Sequence, residues 1–347
     1  MRREPSKRDL AIVAVAPPGM NVANPFVFVV GCPRSGTTLL QRMLDHHPLL
    51  RVANDTHFIP RGLEKFAPES IADATAGKHV ALTPALLDGV RGYHRFHRLG
   101  LDEDAVARVS AESTTYRDYV GALYTSFAGQ HGKPLGGEKT PDYVRRLPLL
   151  HGLFPWAKVI HIIRDGRDVA LSVLDWAGKT KGPGKLRLWE TEPVATCALW
   201  WRWQVGAGRS SGAQLGEQHY HEVGYERLVA EPDGQLRHMT DFLGLPYEPA
   251  MLDYNKGKVK ADPKLSAKKR WLSPTPGLRS WRSQMEPRDV EMFEAVAGDL
   301  LDELGYERAF PEISPQLRRV ASCCLDWWNE FLARCEAKTR LRLEKKC

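Results

Sequence analysis

One arginine and three hydroxyl side chains lie close together in the segment Gly31–Thr38. They are Arg34, Ser35, Thr37 and Thr38, and Gly36 separates the serine from the threonines. A glycine-containing loop that leads into a helix directs its backbone N–H groups, and the positive end of the helix dipole, at one point. A guanidinium and hydroxyls add further donors there. The segment therefore predicts a binding site for an anionic group such as a phosphate.

The spacing of this loop is close to that of the nucleotide-binding motif G-x-x-x-x-G-K-[ST]. Gly31 and Gly36 match the two glycines, but Thr37 stands where the motif has its lysine. That lysine contacts the β- and γ-phosphates of ATP or GTP, so its loss removes the main electrostatic contact of a kinase or NTPase. A small-molecule kinase with a degenerate loop remains an alternative, and it would need magnesium ligands at a strand end.

A second cation and a hydroxyl follow another apolar run. Arg164 comes directly after Lys158–Ile163, at the end of a predicted parallel strand, where ligands bind in open α/β sheets. Ser172 follows in a helix predicted to begin near Gly166. A forked guanidinium donor and a hydroxyl suit a second phosphate. The alternative is that Arg164 pairs with Asp168 and that Ser172 is a solvated helix residue.

The elements that must position these groups alternate between strands and helices. Strands are predicted at Phe26–Val30, Lys158–Ile163 and Glu217–Val223, with a strand end at Gly136–Lys139. Helices are predicted at Tyr116–His131, Pro141–Phe154, Val194–Arg209, Gln235–Leu243 and Asp289–Leu304. This alternation predicts an α/β fold of the P-loop-like kind, with three α/β/α layers around a central parallel sheet.

The loop and the second cationic element together resemble the sulfotransferases that use 3′-phosphoadenosine 5′-phosphosulfate (PAPS). In that family a strand, loop and helix containing S-G-T-T bind the 5′-phosphosulfate, and an R-D-x-x-D-x-x-x-S-like element binds the 3′-phosphate. Gly137–Pro141 and Gly224–Val229 also fit the family's pattern. The resemblance extends over about Pro25–Pro311, and Gly31–Arg61 is most similar to the tyrosylprotein, carbohydrate and bacterial branch.

The resemblance implies in-line transfer of a sulfuryl group from PAPS to an acceptor hydroxyl or amine, without a metal. Lys139 would contact the bridging oxygen, and Arg34 would act both in catalysis and in binding the donor. The implied donor-binding residues are Arg34, Ser35, Gly36, Thr37, Thr38, Arg164, Ser172, Tyr225 and Arg270. A module that binds PAPS or another nucleotide without catalysis is a further alternative.

Three residues are candidates for the general base. Asp55 stands where the similar tyrosylprotein segment has its catalytic glutamate, and its side chain is one methylene shorter. Asn54-Asp55-Thr56 also has the pattern of a helix start, so an N-cap role for Asp55 is the alternative. His57 is the reserve candidate because its ordinary pKa is nearer neutrality. Glu138 is the third.

Composition restricts the class of partner. The chain has 49 Lys and Arg against 42 Asp and Glu, a formal net charge of +7. Much of the excess lies in residues 1–9 and 316–347, so the body between them is nearly neutral and a nucleic-acid-binding face is not expected. The six cysteines form no C-x-x-C pair, which argues against a zinc site. We expect a cytoplasmic protein, in peripheral contact with a membrane at most.

The domain boundaries follow from the resemblance and from the carboxyl-terminal pattern. We expect a flexible lead-in over residues 1–24, a sulfotransferase domain over 25–311 and a helical extension over 312–347. Apolar residues recur at steps of three and four from Leu317, which predicts an amphipathic helix. That helix could pack on its own domain, form a homodimer contact or lie on a membrane surface through 316–347.

The acceptor's class is left open by the sequence. Segments 67–111 and 256–283 are expected to form its pocket, and they carry no recognisable motif. The acceptor could be a glycan, a lipid, a phenol or a peptide tyrosine.

Overall fold

The computed structural model describes residues 23–177, 186–254 and 279–344. Its centre is a five-stranded parallel sheet in the order β2-β3-β1-β4-β5. The strands are β1 (Val27–Gly31), β2 (Leu50–Asn54), β3 (Leu135–Lys139), β4 (Lys158–Ile163) and β5 (Tyr220–Gly224). β1 is buried throughout, as expected for a central strand covered on both faces. The predicted P-loop-like α/β fold is confirmed.

Helices connect the strands and cover the sheet. They are α1 (Thr37–Asp45), α2 (Phe58–Phe66), α3 (Ile71–Thr75), α4 (Pro84–Arg91), α5 (Glu103–Glu112), α6 (Tyr116–Gly129), α7 (Leu147–Leu153), α8 (Gly166–Ala177), α9 (Pro193–Leu215), α10 (Tyr225–Ala230), α11 (Pro232–Leu243), α12 (Trp281–Gln284), α13 (Pro287–Glu303) and α14 (Pro315–Glu344). Short 3₁₀ helices include Phe96–Leu99 and Pro141–Arg146. The latter forms the first half of the predicted helix Pro141–Phe154, and α7 forms the second half.

The register brings the chemistry-bearing residues to one edge of the sheet. Val29 of β1 pairs with Lys139 of β3, and Lys139 also pairs with Asn54 of β2. On the other side of β1, Gly31 pairs with Ile162 of β4. Because the strands are parallel, the segments that follow them all emerge at the same carboxyl edge.

The structure corrects one local prediction. Leu50–Asn54 forms the strand β2, and α2 begins only at Phe58, so Asn54-Asp55-Thr56 is not a helix start. Asp55 and His57 both have positive φ angles, 56° and 61°, and no side chain caps α2 by a hydrogen bond. Asp55 is therefore not an N-cap but part of a sharp turn between β2 and α2.

The helix α14 packs on the body of the chain. Its buried residues Leu317, Ala321, Cys324 and Trp328 join the apolar cluster formed by α8, α9 and α13. The indole of Trp328 meets that of Trp203 edge to face, with ring centroids 5.7 Å apart. The contact that was expected within the chain is therefore present, whereas a dimer or membrane contact stays a prediction.

A buried charge network ties the start of α8 to α13. The Arg167 guanidinium lies 2.8 Å from an Asp165 oxygen and 2.5 Å from a Glu294 oxygen, and Glu294 is fully buried. Glu294 also accepts hydrogen bonds from the backbone N–H groups of Ala309 and Phe310, at 2.9 and 2.8 Å. The buried carboxylate of Glu294 thus has hydrogen-bond and charge partners, and through Arg167 it holds in place the segment that follows β4.

We expect Glu294→Ala to lower the free energy of unfolding by about 3–5 kcal/mol, because it removes one of the two carboxylates that pair with the buried Arg167 and leaves the N–H groups of Ala309 and Phe310 without their acceptor. Urea denaturation would measure the loss. Asp299→Ala is the matched control, since Asp299 pairs with Arg202 on the surface and such exposed pairs contribute about 0–1 kcal/mol. Equal losses in the two variants would contradict a structural role for the buried network.

Candidate active site

The loop between β1 and α1 adopts the conformation that an anion site requires. Arg34 and Gly36 have φ angles of 81° and 92°, and the Ser35 N–H donates to the Cys32 carbonyl at 3.1 Å. An ideal Cβ at Gly36 would lie 2.4 Å from the Tyr225 ring, so only glycine fits beneath that ring. No side-chain hydrogen bond caps α1, which leaves its first N–H groups for a ligand.

Ser35 provides a second sign of a ligand site. Its hydroxyl is fully buried and has no hydrogen-bond partner among the described residues. Buried polar groups in native proteins are nearly always paired. An anionic oxygen held in the loop would supply the acceptor that this hydroxyl lacks.

Arg34 joins the loop to the second cationic element. Its Nε donates to the Ser172 hydroxyl at 2.9 Å, although the two residues are 138 positions apart. Burial, followed by the nearby charge of Arg279, lowers the pKa of Arg34, and Arg164 contributes in the same direction. Three guanidinium groups thus act on one region, which is an environment suited to an anion.

Arg164 is oriented by its neighbours and keeps a free donor. Its guanidinium lies 4.3 Å from the centre of the Tyr225 ring, and its Nη2 donates to Asp168 Oδ2 at 3.2 Å. The Nε is buried and has no partner among the described residues. The Asp168 pair considered above is therefore present, yet Ser172 is buried rather than solvated. The pair orients the arginine without using all of its donors.

The structure adds Arg279, which sequence reasoning missed. Its Nη2 donates to Asp175 Oδ2 at 2.6 Å on α8. The segment is anchored two residues later, where the Trp281 N–H donates to Asp168 Oδ1 at 2.8 Å. Nothing in the sequence distinguishes Arg279 from the other basic residues of segment 256–283, which is rich in Lys, Pro and Ser. The predicted site residue Arg270 lies outside the described residues.

Lys139 links the loop to the leading base candidate. It ends β3 with its side chain almost completely buried, and its Nζ lies 3.1 Å from Asp55 Oδ1. The same Nζ donates to the Thr38 hydroxyl at 3.4 Å. Burial lowers the pKa of Lys139, and the Asp55 charge opposes that shift. Lys139 thus links the anion-binding loop to the Asp55 carboxylate.

Asp55 and His57 share a strained turn. Their left-handed backbone conformations cost about 1–3 kcal/mol each for residues other than glycine, and such strain is typical of functional sites. His57 Nε2 lies 3.9 Å from Asp55 Oδ1. Burial, followed by the charge of Arg95, lowers the pKa of His57 to about 4, so the imidazole is neutral at neutral pH. His57 therefore adds no positive charge beside Asp55 at that pH.

Glu138, the third base candidate, is occupied by internal hydrogen bonds. It is fully buried and accepts from the Thr56 N–H at 3.0 Å, from the Tyr124 hydroxyl at 2.7 Å and from Thr140 Oγ1. Burial raises its pKa. These contacts fix the turn that carries Asp55, which is a structural role.

A cleft opens beside this turn. His57, Arg61, Tyr143 and Arg145 are among the residues that line it. Because it borders the Asp55–His57 turn, it is the candidate entry for an acceptor.

The described residues contain no cluster of metal-binding side chains. Within residues 23–177, 186–254 and 279–344, no three or more His, Cys, Asp or Glu side chains are grouped closely enough to hold a metal ion. Over the same residues, no helix combines the length and the apolar character needed to span a bilayer.

A parallel sheet with an anion-binding loop, a second cluster of arginines and a lysine–aspartate pair at one edge defines a P-loop-like group-transfer enzyme. Residues 25–249 match the model of the Sulfotransferase family. The chain belongs to this family.

Curated relatives agree with this assignment. The chain is 26% identical over 240 residues to protein-tyrosine sulfotransferase A of Caenorhabditis elegans, covering 69% of the chain and 54% of that protein. It is 27% identical over 332 residues to the nodulation protein NoeE of Sinorhizobium fredii, covering 87% of the chain and 73% of that protein. The chain thus spans about half the length of the nematode protein.

A solved structure has the same fold. The sulfotransferase domain of the Synechococcus olefin synthase matches 84% of this chain and 98% of its own, with a TM-score of 0.52 and 24% identity. At this identity the likeness establishes the fold alone.

Proposed function

We propose that the chain transfers a sulfuryl group from PAPS to a hydroxyl or amine of an acceptor. The observation that carries the proposal is the hydrogen bond from Arg34 Nε to Ser172 Oγ. It places the anion-binding loop next to the Arg164 element, so that one nucleotide with anionic groups on both its 5′ and 3′ positions can engage both. A ligand with one anionic end would leave one of the two unused.

The residues present fit such a nucleotide. Ser35 Oγ and Arg164 Nε are buried donors without partners among the described residues, one in each anion site. Ser35, Thr37 and the first N–H groups of α1 would hold the phosphosulfate, and Arg164, Ser172 and Arg279 the 3′-phosphate. PAPS would supply the activated sulfuryl group and a phosphate leaving group.

The chain's own residues would then act on the acceptor and on the charge that develops. Asp55 would accept the proton of the attacking hydroxyl, since its carboxylate lies 3.9 Å from His57, which lines the cleft. Lys139 would stabilise negative charge on the leaving oxygen, from a buried position where water screens it little. The absence of the motif lysine at position 37 and the membership of the sulfotransferase family do not favour a kinase.

We propose four possible classes of acceptor. Relatives are named for protein tyrosine and for nodulation, and a glycan, lipid, phenol or peptide tyrosine would each present a suitable hydroxyl. Transfer from radiolabelled PAPS to these four classes would identify it. We further propose a cytoplasmic location and a division into a domain over 25–311 and a helical extension over 312–347.

The two-anion site predicts a clear preference among nucleotides. We expect adenosine 3′,5′-bisphosphate to bind much more tightly than AMP or ATP, because only it places phosphates in both anion sites. Arg164→Ala should weaken that binding by ~1.5–3 kcal/mol, the scale of a charge-assisted hydrogen bond. Isothermal titration calorimetry would measure both effects.

Arg202→Ala is the matched control, since Arg202 of α9 forms an exposed pair with Asp299 of α13. It should leave the affinity unchanged. Equal affinity of the wild-type protein for AMP and for the bisphosphate would contradict the proposed function.

A further inference from the structure

Arg98 reaches the strained Asp55 turn from outside the family's motifs. It lies in the 3₁₀ helix Phe96–Leu99, and its Nη1 is 3.3 Å from the Asp55 carbonyl and 3.5 Å from the Asn54 carbonyl. The same Nη1 is 3.9 Å from Asp55 Oδ2. One guanidinium therefore contacts both the backbone and the side chain of the base candidate.

The 3₁₀ helix that carries Arg98 is itself fixed on the domain. Leu99 is buried, and the Phe96 ring meets the Phe58 ring at 5.5 Å, at the start of α2. Arg98 is thus supported by packing on the element that follows the turn. On the opposite side of the turn, the Asp55 N–H donates to the Lys139 carbonyl at 2.7 Å. The turn is held between β3 and Arg98.

Charge distinguishes the roles of Lys139 and Arg98. Lys139 is the cation nearest to Asp55, but its Nζ also contacts Thr38 at the start of α1. A lysine engaged with the donor's leaving oxygen has less interaction to offer Asp55. His57, the third group near the carboxylate, is neutral at neutral pH. Arg98 is then the cation that remains on Asp55.

We propose that Arg98 is a positioning residue that orients the Asp55 carboxylate while Lys139 serves the donor. This inference rests on the proposed function, because it assigns the base role to Asp55. It also gives segment 67–111 a part in the chemistry in addition to its expected part in the acceptor pocket.

Several charged groups surround Asp55. Lys139 approaches from β3, His57 from the start of α2 and Arg98 from the 3₁₀ helix. Burial and, to a lesser degree, the Asp55 charge raise the pKa of Glu138, and burial followed by the charge of Arg95 lowers the pKa of His57. Among the described residues around the turn, Arg98 alone combines a charge contact with hydrogen bonds to the carbonyls of Asn54 and Asp55.

The test compares Arg98→Met and Arg98→Lys with Arg237→Met, which removes an exposed arginine of α11 that is paired with Asp233. Carbon-13 NMR of protein labelled at the aspartate carboxyls, saturated with adenosine 3′,5′-bisphosphate, would follow the Asp55 signal, assigned by its loss in Asp55→Asn. We expect the chemical shift of that signal at neutral pH to change in Arg98→Met, because the guanidinium that contacts the turn is lost. Arg98→Lys keeps the charge without the forked donors and should restore the chemical shift in part, and Arg237→Met should not change it.

Turnover provides the second readout, with the acceptor found by the screen of the four classes. We expect Arg98→Met to lower kcat about 10²-fold through misplacement of the base, with unchanged bisphosphate affinity. If Arg98→Met does not fold, Arg98→Lys carries the test by keeping the bisphosphate affinity while losing kcat.

An Asp55 signal and a kcat that are the same in Arg98→Met, Arg237→Met and the wild type would overturn the inference alone. A wild-type protein that does not prefer the bisphosphate would instead overturn the proposed function.

Discussion

Replacing Asp55 with asparagine is expected to lower turnover by about 10²–10⁴-fold, the usual contribution of a general base. Asparagine keeps the size of the side chain but cannot accept the acceptor's proton. Bisphosphate affinity should change little, since neither anion site includes Asp55. Initial rates with radiolabelled PAPS, combined with calorimetry on the same preparation, would measure both quantities.

Asp233→Asn is the matched control, because Asp233 forms an exposed pair with Arg237 at 2.8 Å on α11. It should leave turnover unchanged. Near-full activity in Asp55→Asn together with a large loss in His57→Ala would move the base assignment to His57. The lowered pKa of His57, about 4, makes that outcome unexpected.

Lys139→Met is expected to lower kcat by about 10²–10³-fold, the cost of removing one preorganised donor from developing negative charge. Methionine is close to lysine in length and suits the buried position, so the fold should persist. The loss should fall on kcat more than on bisphosphate affinity, since the charge that Lys139 stabilises develops during transfer. Steady-state kinetics would separate the two.

Lys158→Met is the control. It removes a lysine at the start of β4, at the amino edge of the sheet, where the Nζ donates to the Gln218 carbonyl at 2.7 Å, and it should leave kcat unchanged. An equal loss of bisphosphate affinity and of kcat in Lys139→Met would contradict a role specific to the transition state.

The main features of the fold were predictable because they depend on short-range patterns. The apolar runs of β1 and β4 end at Gly31 and Arg164, and the parallel arrangement brings those ends to one edge. β2 was missed because Leu50–Asn54 is short and runs directly into the Asn54-Asp55-Thr56 pattern, which is also typical of a helix start. The pairing of Asn54 with Lys139 on the neighbouring strand shows that Asn54 ends a strand and does not begin a helix.

Site residues that belong to a sequence motif were predictable, whereas site residues that are positioned only by tertiary packing were not. Arg34 and Ser172 could each be proposed from local spacing, but their hydrogen bond depends on how α1 and α8 lie across β1 and β4. Arg98 and Arg279 carry no local pattern. Their positions follow from the packing of Phe96 on Phe58 and from the anchoring of Trp281 by Asp168.

The contact between Gly36 and Tyr225 restricts how this protein can diverge. A methyl group at position 36 would overlap the Tyr225 ring at 2.4 Å, in a backbone conformation that already disfavours side chains. The same ring lies against Arg164, so a smaller residue at position 225 would make room for the methyl group but remove the support of the guanidinium. Neither position can change first without loss, and the two residues should be inherited together.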